Sequence, residues 1–428
     1  MTTDRFSRLH VLSILCIATL GSAASANAQS CPDPKRITEG ASGPMATVRY
    51  LSDDALEGRL AGTPGERCAG DFIAARFKAL KLKPAGENNT WFQSVPLASV
   101  ATPHAPPGTG RNVMALLEGS DPALRNEIIV IGAHYDHLGH GNFGSTAPNE
   151  AGAIHNGADD NASGVAGMLA AAEALVKSKP ARSVLFMAYT AEESGLIGSA
   201  HFVSNPTVPL SRIRAMLNLD MVGRLSAGSL IVYGTGTATE WDDLVRRHSP
   251  SGPEVTLNPD GYGASDHTSF YLKDIPVLHF FTNVHSEYHN PRDDWQLIDG
   301  PGIQKVATMV AGITKDLGKA PTITLVRGSG RPPAAPGERR GTAAWLGTVP
   351  DMKPIERGVL LMGVRTGSPG DAAGLREGDT IIKFDDQEVA DLQGLTNALS
   401  ARKPGDQVRI TVIREGREMV VTATLGSR

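Results

Sequence analysis

The chain is poor in three features that would assign it to a large functional class. Its 428 residues have a formal net charge of −4, so no excess of basic side chains attracts nucleic acid. Its three cysteines do not form a spacing typical of catalysis or metal binding. The apolar stretch at residues 11–20 is shorter than the roughly 20 residues needed to span a bilayer. The length favours a globular protein of two or three domains.

The N-terminus has the pattern of an export signal. Two arginines precede the apolar residues 11–20, and Ala26-Asn27-Ala28 supplies the small residues that a signal peptidase reads. We therefore expect residues 1–28 to be a signal peptide, the mature chain to begin at Gln29, and the protein to be periplasmic or secreted. A membrane anchor and a lipid anchor at Cys31 are the alternatives, although the residues before Cys31 match a lipidation signal poorly.

Removal of that signal would leave two cysteines, Cys31 and Cys68. An even pair in an oxidising compartment is typical of one disulfide, which would tether the mature N-terminus to the first helical segment. Two free buried thiols are the alternative that the sequence leaves open.

From residue 112 to about residue 320, apolar strands alternate with helices. A helix is predicted at residues 163–177, and strands are predicted at 126–133, 182–189, 215–221, 229–233 and 276–281. Alternation of this kind favours an α/β fold, a three-layer sandwich around a mixed, mostly parallel central sheet. Residues 29–111 carry helical periodicity at 65–80, and we expect them to form a helical segment and a loop that pack on this domain.

Ionisable side chains follow these strands at their carboxyl ends. In chain order, the acidic and imidazole residues there are His134, Asp136, Asp159, Asp160, Glu192, Glu193, Asp220, His285, Glu287 and His289. Functional residues of open α/β sheets gather just beyond the carboxyl ends of the strands, so we expect these side chains to meet in one site. Each group alone is weak evidence, because Asp159 and Asp160 could cap a helix and Glu192 and Glu193 could begin one.

A metal site would account for the whole set. Two imidazoles and three carboxylates suit zinc, with manganese or cobalt as alternatives. One ion rarely needs five protein ligands, whereas two ions that share a bridging carboxylate do, so we expect a paired site. If the turn after the second strand is helical, Glu192 and Glu193 diverge by about 100°. One of them can then bind metal while the other faces the reacting water.

The segments that carry these residues resemble the co-catalytic di-zinc aminopeptidases of the MH clan, the family twenty-eight metallopeptidases. Relatives of that family include glutamate carboxypeptidases and glutaminyl cyclases. The matching segments are Gly132-Ala-His-Tyr-Asp-His137, Asn156-Gly-Ala-Asp-Asp-Asn-Ala-Ser-Gly164, Ala191-Glu-Glu-Ser-Gly-Leu-Ile-Gly-Ser199, Asn218-Leu-Asp-Met221, Ser265-Asp-His267 and Tyr288-His289. They occur in the family's order and span most of residues 112–300, so the resemblance is highly specific.

The resemblance implies a role for each metal ligand. His134 would bind one zinc and His289 the other. Asp160 would bridge the two ions, because the bridging Asp of the family directly precedes Asn-x-Ser-Gly. Glu193 and Asp220 would complete the two coordination spheres, so the implied cofactor is two zinc ions.

The resemblance also implies the catalytic residues. Glu192 would be the general base, and Tyr288 would hydrogen-bond the tetrahedral oxyanion. Asp136 would accept the second ring N–H of His134 and so fix the orientation of that ligand. Other residues nearby could line the cleft or have structural roles, namely Asp266, Asp293, His137, His140, His155, His267 and His285.

The expected activity is removal of N-terminal residues from peptides with a free N-terminus. In the family, acidic groups beside the metals hold the α-ammonium of the substrate, whereas carboxypeptidase relatives need cationic groups for a carboxylate. Arg59, Arg224 and Arg292 lie near the predicted site loops, so a carboxypeptidase or a dipeptidase is the nearest alternative. Glutaminyl cyclases use one zinc, and the set of five ligands argues against that activity.

The last hundred residues form a different module. A linker rich in Pro, Gly and Arg is predicted at residues 321–340, and residues 341–428 resemble a bacterial PDZ domain through the segments Ser368–Asp379 and Ile381-Ile382. Strands are predicted there at 358–364, 380–384, 408–414 and 419–425, and a helix at 392–399.

This PDZ-like module has a predicted peptide-binding loop. The loop is Ala344-Trp345-Leu346-Gly347, and Trp345, Leu346 and Gly347 are its predicted peptide-binding residues. Protein C-termini would bind there by adding a strand to the sheet edge. A packing or lid role without a peptide ligand is one alternative. A binding protein in which the peptidase fold is an inactive scaffold is another.

Overall fold

A computed structural model of the chain describes Met1 and residues 30–97, 108–150, 152–320, 322–327, 344–351, 355 and 357–427. The predicted signal peptide lies almost wholly outside the described residues, as does most of the predicted linker. Within the described ranges, no helix is long and apolar enough to cross a membrane. Cys31–Arg428 form one compact unit.

The described ranges contain the following helices and strands. The α-helices are α1 Pro34–Ile37, α2 Pro44–Leu51, α3 Pro64–Ala79, α4 Gly164–Ser178, α5 Ile197–Ser204, α6 Trp241–His248, α7 His267–Tyr271, α8 Gly300–Leu317, α9 Pro369–Ala372 and α10 Leu392–Ser400. The strands up to residue 320 are β1 Lys83–Pro84, β2 Phe92–Pro96, β3 Thr109–Leu117, β4 Ile128–His134, β5 Ser183–Tyr189, β6 Ile213–Leu219, β7 Leu230–Tyr233, β8 Val255–Leu257 and β9 Val277–Phe281. The later strands are β10 Ala344–Trp345, β11 Thr348–Pro350, β12 Val359–Val364, β13 Thr380–Phe384, β14 Gln387–Glu388, β15 Gln407–Arg414, β16 Arg417–Thr424 and β17 Gly426–Ser427.

Strands β1 to β9 form one mixed sheet. Its order is β1-β3-β5-β4-β6-β9-β7-β8, and β2 also pairs with β3. The central strands β5, β4, β6 and β9 run parallel. Further out, β3 is antiparallel to β5, and β7 is antiparallel to β9. The predicted mixed sheet is confirmed, with its parallel part at the centre.

Helices cover both faces of this sheet. Along β4, Ile129 and Ile131 belong to an apolar cluster with α3, α4 and α8, whereas Ile128 and Val130 belong to a second cluster with α5 and α7. Successive side chains of a strand point to opposite faces, so the two clusters lie on opposite sides of the sheet. The fold is a three-layer sandwich, as the sequence predicts.

The segment before residue 112 supplies strands as well as helices. Strands β1 and β2 both pair antiparallel with β3, which begins at Thr109. Positions in β2 alternate between buried and exposed, as in a strand with one solvated face. Five residues that end in Pro96 carry too short a pattern to be recognised in the sequence. The predicted domain boundary between residues 111 and 112 stays a prediction.

Cys31 and Cys68 form a disulfide. It joins the start of the described chain to helix α3, which packs against the central sheet. Of the two alternatives that the sequence leaves open, the structure contains the bonded pair.

One glycine determines how closely helix α4 approaches the sheet. At Gly164, a Cβ atom would lie 2.4 Å from the carbonyl oxygen of Leu219, the last residue of β6. A side chain at this position would therefore push α4 away from the sheet. The close approach brings the preceding turn, Ala158–Ser163, to the carboxyl ends of the parallel strands.

The C-terminal part contains a separate antiparallel sheet in the order β11-β12-β13-β15-β16. It surrounds a small core that includes Leu346, Phe384, Leu395 and Ile410. The observed elements agree with the predicted strands and helix to within two residues at either end. This architecture is consistent with the predicted PDZ domain.

Candidate metal centre

The predicted ligands meet at the carboxyl ends of the central strands. His134 is the last residue of β4, Glu193 follows β5, and Asp220 follows β6. Asp160 comes from the turn before α4, and His289 comes from the loop after β9. All five line one cavity of about 290 Å³. The fold therefore brings together residues that lie up to 155 positions apart, from 134 to 289.

A first cluster surrounds the ring of His134. Its Nε2 lies 3.2 Å from Oδ1 of Asp160 and 3.4 Å from Oδ1 of Asp220. The Oε2 atom of Glu192 lies 3.8 Å from the same nitrogen. Oδ1 of Asp220 is buried and has no hydrogen-bond partner among the described residues. A cation bound here would give this oxygen a partner and would compensate the carboxylate charges.

A second cluster surrounds the ring of His289. Its Nε2 lies 3.1 Å from Oδ2 of Asp160 and 3.1 Å from Oε2 of Glu193. The two carboxylate oxygens of Asp160 thus face different clusters, with Oδ1 towards His134 and Oδ2 towards His289. This is the arrangement that a bridging carboxylate requires.

The two neighbouring glutamates differ in electrostatics. Burial raises the pKa of Glu192 well above its ordinary value, against the opposing charge of His134. Burial acts in the same direction on Glu193, but His289 and His137 outweigh it and lower its pKa to about 2. Environments that separate two carboxyl pKa values also separate their roles. Glu193 is kept ionised, as a ligand must be, whereas Glu192 binds a proton more readily.

Asp136 has a contact that the sequence does not reveal. Its carboxylate accepts the backbone N–H groups of Glu192 and Glu193, at 3.0 and 3.4 Å. The same carboxylate lies 3.7 Å from Nδ1 of His134, while the backbone carbonyl of Asp136 lies 3.3 Å from that nitrogen. Asp136 therefore positions the turn that carries both glutamates, besides facing the ring of His134.

His137 lies much closer to the centre than the sequence indicates. Its Nδ1 is 2.7 Å from Oε1 of Glu193 and 4.0 Å from Oδ2 of Asp160, and the ring is fully buried. These three residues form one of the groups whose atoms could hold a metal ion. In the sequence, His137 follows His134 and Asp136 in the same motif, which places it near the predicted site. Spacing alone does not show which way its ring points.

Two further aspartates hold the turn of Asp160 in place. Asp293 accepts the N–H groups of Asp159 and Asp160, at 2.9 and 3.1 Å. Asp159 accepts the N–H of Gly223 at 2.7 Å and contacts Nε2 of His285 at 3.1 Å. Asp159 is thus occupied by structural hydrogen bonds, whereas the carboxylate oxygens of Asp160 face the rings of His134 and His289.

The cavity lining combines acidic, imidazole and apolar side chains. Its lining residues, as far as the structure describes them, include four carboxylates and no lysine or arginine. Its larger apolar residues are Met221, Tyr233, Phe281 and Val284. Tyr288 also lines the cavity, and its ring stacks on His289 with centroids 3.8 Å apart.

The three arginines near the site bind groups outside the cavity lining. Arg59 is fully buried and donates to the backbone carbonyls of Leu51, Tyr135, Asn156 and Gly157. Burial lowers its pKa to about 10, so the guanidinium stays charged at neutral pH. Arg224 pairs with Asp293 and Glu287, and Arg292 pairs with Glu150. They are used as structural donors and lie outside the cavity lining.

The PDZ-like part carries a groove of its own. Trp345, Leu346 and Gly347 line a cavity of about 580 Å³ between β11 and α10. Gly347 has a φ of +83°, and an added Cβ would lie 2.2 Å from Cβ of Ser368. The predicted loop therefore depends on glycine at this position.

Two family models match the chain. Residues 112–314 match the model of Peptidase family M28, and residues 349–425 match the model of the PDZ domain.

Several curated proteins are similar to part of the chain. The leupeptin-inactivating enzyme 1 of Streptomyces exfoliatus is 31% identical over 179 residues, which cover 41% of this chain and 36% of that protein. An aminopeptidase of Pseudomonas aeruginosa is 35% identical over 127 residues, covering 29% of this chain and 20% of that protein. The chain thus spans about a third or less of the length of these relatives.

Solved structures show the same fold. BSAP, a zinc aminopeptidase from Bacillus subtilis, has a TM-score of 0.51 at 18% identity, and the match covers 67% of this chain and 96% of that chain. A glutaminyl cyclase of Bacteroides thetaiotaomicron has a TM-score of 0.52 at 18% identity, and the match covers 67% of this chain and 99% of that chain. At such identities the likeness establishes the fold, and the choice among activities depends on the side chains of the site.

Proposed function

We propose that this chain, whose residues 112–314 form a peptidase family M28 domain and whose residues 349–425 form a PDZ domain, is a two-zinc aminopeptidase. The observation that carries the proposal is the cavity lining, where four carboxylates lie among the imidazoles and the described residues include no lysine or arginine. Such a lining has no lysine or arginine to repel the α-ammonium of a peptide N-terminus. A carboxypeptidase would need a cation there for the substrate carboxylate.

The residues present suit a pair of zinc ions. His134 and Asp220 would hold one ion, His289 and Glu193 the other, and Asp160 would bridge them. Two observations support this assignment. The Asp160 oxygens are split between the two clusters, and the buried Oδ1 of Asp220 has no hydrogen-bond partner among the described residues. Zinc at these positions would polarise the scissile carbonyl and lower the pKa of water towards neutrality.

The remaining chemistry belongs to side chains of this chain. Glu192 would accept a proton from the attacking water and deliver it to the nitrogen of the leaving peptide. Tyr288 would donate a hydrogen bond to the developing oxyanion. Asp136 positions Glu192 through the backbone N–H at 3.0 Å. Since no nucleophilic side chain is required, hydrolysis would proceed without a covalent intermediate.

We extend the proposal to location and to the PDZ domain. The N-terminal signal pattern and the disulfide between Cys31 and Cys68 support export to an oxidising compartment. The groove beside Trp345 supports binding of peptide C-termini, as in PDZ domains that add a strand at a sheet edge. The first two features support a location outside the cytoplasm, and the groove supports binding of peptides.

The test uses the mature protein loaded with zinc and one peptide in two forms, with a free or an acetylated N-terminus. Mass spectrometry shows which end of the peptide shortens, and a chelator-treated sample is the control. Loss of N-terminal residues from the free form only, abolished by chelation, is the expected result. Shortening from the C-terminus would favour a carboxypeptidase, and no cleavage of either form would favour the scaffold alternative.

A further inference from the structure

The PDZ domain contacts a loop that also forms part of the catalytic cavity. We call residues 260–264 the cleft loop. Asp260 of this loop pairs with Arg365 of the PDZ domain at 2.7 Å, and the Arg365 guanidinium lies 4.8 Å from the centre of the Tyr262 ring. The backbone N–H of Thr366 also donates to the hydroxyl of Tyr262 at 3.3 Å. Two residues of the cleft loop, Asp260 and Tyr262, thus contribute three contacts to the domain interface.

The other end of the cleft loop lines the cavity. Gly263 and Ala264 are part of its wall. Within the loop, Oδ1 of Asp260 accepts the N–H of Tyr262 at 2.9 Å, while Oδ2 binds Arg365. One carboxylate thus joins the backbone of the cleft loop to the PDZ domain. A displacement of the Arg365 side chain can therefore be transmitted through Asp260 and Tyr262 to Gly263, which is part of the cavity wall.

Arg365 also lines the peptide groove of the PDZ domain. Its backbone N–H donates to the carbonyl of Gly347 at 2.8 Å, so the residue lies directly beside the predicted peptide-binding loop. The described lining of the groove has two arginines, Arg365 and Arg402, and no carboxylate. Its remaining surface is largely apolar, with leucines at 346, 392, 395 and 399. This chemistry fits a peptide that ends in an apolar residue with a free carboxylate.

We propose that Arg365 is shared between the two sites, so that a peptide carboxylate in the groove competes with Asp260 for the guanidinium and releases the cleft loop. The proposal rests on the proposed function, because its consequence is a change in peptidase turnover. The pair is partly exposed, with 25% and 28% of the two side chains accessible. Pairs of this kind shift an equilibrium by about 1.5- to 5-fold. Gly263 and Ala264 of the released loop are part of the cavity wall, so kcat/KM falls by the same factor of about 1.5 to 5.

Binding is measured first, because it does not depend on activity. The probe is a hexapeptide ending in leucine and valine, with fluorescein on its N-terminus and a free C-terminal carboxylate. Its twin carries a C-terminal amide. Fluorescence anisotropy gives the Kd of each for the full mature chain. Asp260→Asn removes the competing charge, so it tightens binding of the carboxylate probe by about 1.5- to 5-fold and leaves the amide twin unchanged.

Turnover of leucine p-nitroanilide, which is too short to reach the groove, is measured next. The carboxylate probe lowers kcat/KM of the zinc-loaded wild type, whereas Asp260→Asn starts from the lowered value and does not respond further. The matched control is Glu377→Gln, which breaks another ion pair between the domains, with Lys273 at 2.7 Å, away from the groove lining. This variant keeps the wild-type Kd and the full response.

Three results would overturn the inference. They are an equal Kd of the carboxylate probe for wild type and Asp260→Asn, absence of probe binding, and probe binding that leaves kcat/KM unchanged or raises it. Failure of the proposed function looks different. In that case no sample hydrolyses the substrate, while the comparison of Kd values still decides whether Asp260 competes for Arg365.

Discussion

Replacement of Glu192 by Gln separates catalysis from metal binding. The Glu192 side chain is 9% exposed at the cavity, and its Oε2 lies 3.8 Å from Nε2 of His134. The proposed ligand set does not include it, since His134, Asp160 and Asp220 form one cluster without it. Gln has nearly the same shape but cannot accept a proton at neutral pH. We therefore expect the variant to fold, to bind zinc and to lose turnover.

The size of the loss follows from the role. A positioned general base contributes about 10²- to 10⁴-fold to a rate, which corresponds to about 3 to 5 kcal/mol of activation free energy. Because the substitution leaves the proposed zinc ligands in place, we expect the loss in kcat, with KM changed little.

The assay combines turnover of leucine p-nitroanilide with zinc content measured by plasma mass spectrometry. Glu193→Gln is the matched control, because Oε2 of Glu193 lies 3.1 Å from His289 and its charge would be needed for a ligand. The control should lose zinc, whereas Glu192→Gln should keep it. A Glu192→Gln enzyme that retains both zinc and the wild-type kcat would refute the assignment of the base.

Other substitutions test the rest of the account. Asp160→Asn should lower zinc content below that of the wild type, since it removes the charge that both clusters share; unchanged zinc content would rule out a bridging role. Arg59→Met should lower the free energy of unfolding in urea by at least about 3 kcal/mol, because buried carbonyls left without a donor cost about 1 to 3 kcal/mol each. Removal of the disulfide by Cys31→Ser with Cys68→Ser opens a loop of 37 residues, which corresponds to about 4 kcal/mol. A double variant with unchanged stability in urea would contradict that loop-closure argument.

The sheet centre could be predicted from the sequence because its signals are local. The runs that became β4, β5, β6 and β9 are fully or mostly buried, so they appear as continuous apolar segments with sharp ends. The edge strand β2 is half-exposed and five residues long, and its pattern is lost among the polar residues around it.

Motif order predicts the positions of the proposed ligands, but it does not predict their contacts. The N–H groups that Asp136 accepts lie 56 and 57 residues away. Arg59 shows the same limit, since it lies near the site loops in sequence and donates to carbonyls as far as 98 residues away. Only the folded chain shows that Arg59 donates to backbone carbonyls whereas Glu192 faces the cavity.

The central claim is that this chain holds a pair of cations at the carboxyl ends of its central strands. The most direct measurement is zinc content per chain after dialysis of the zinc-loaded mature protein against metal-free buffer, with peptidase activity followed as zinc is added back to the stripped protein. We expect two zinc ions per chain, with full activity reached only when both are bound. Full activity with one zinc ion per chain would contradict the account.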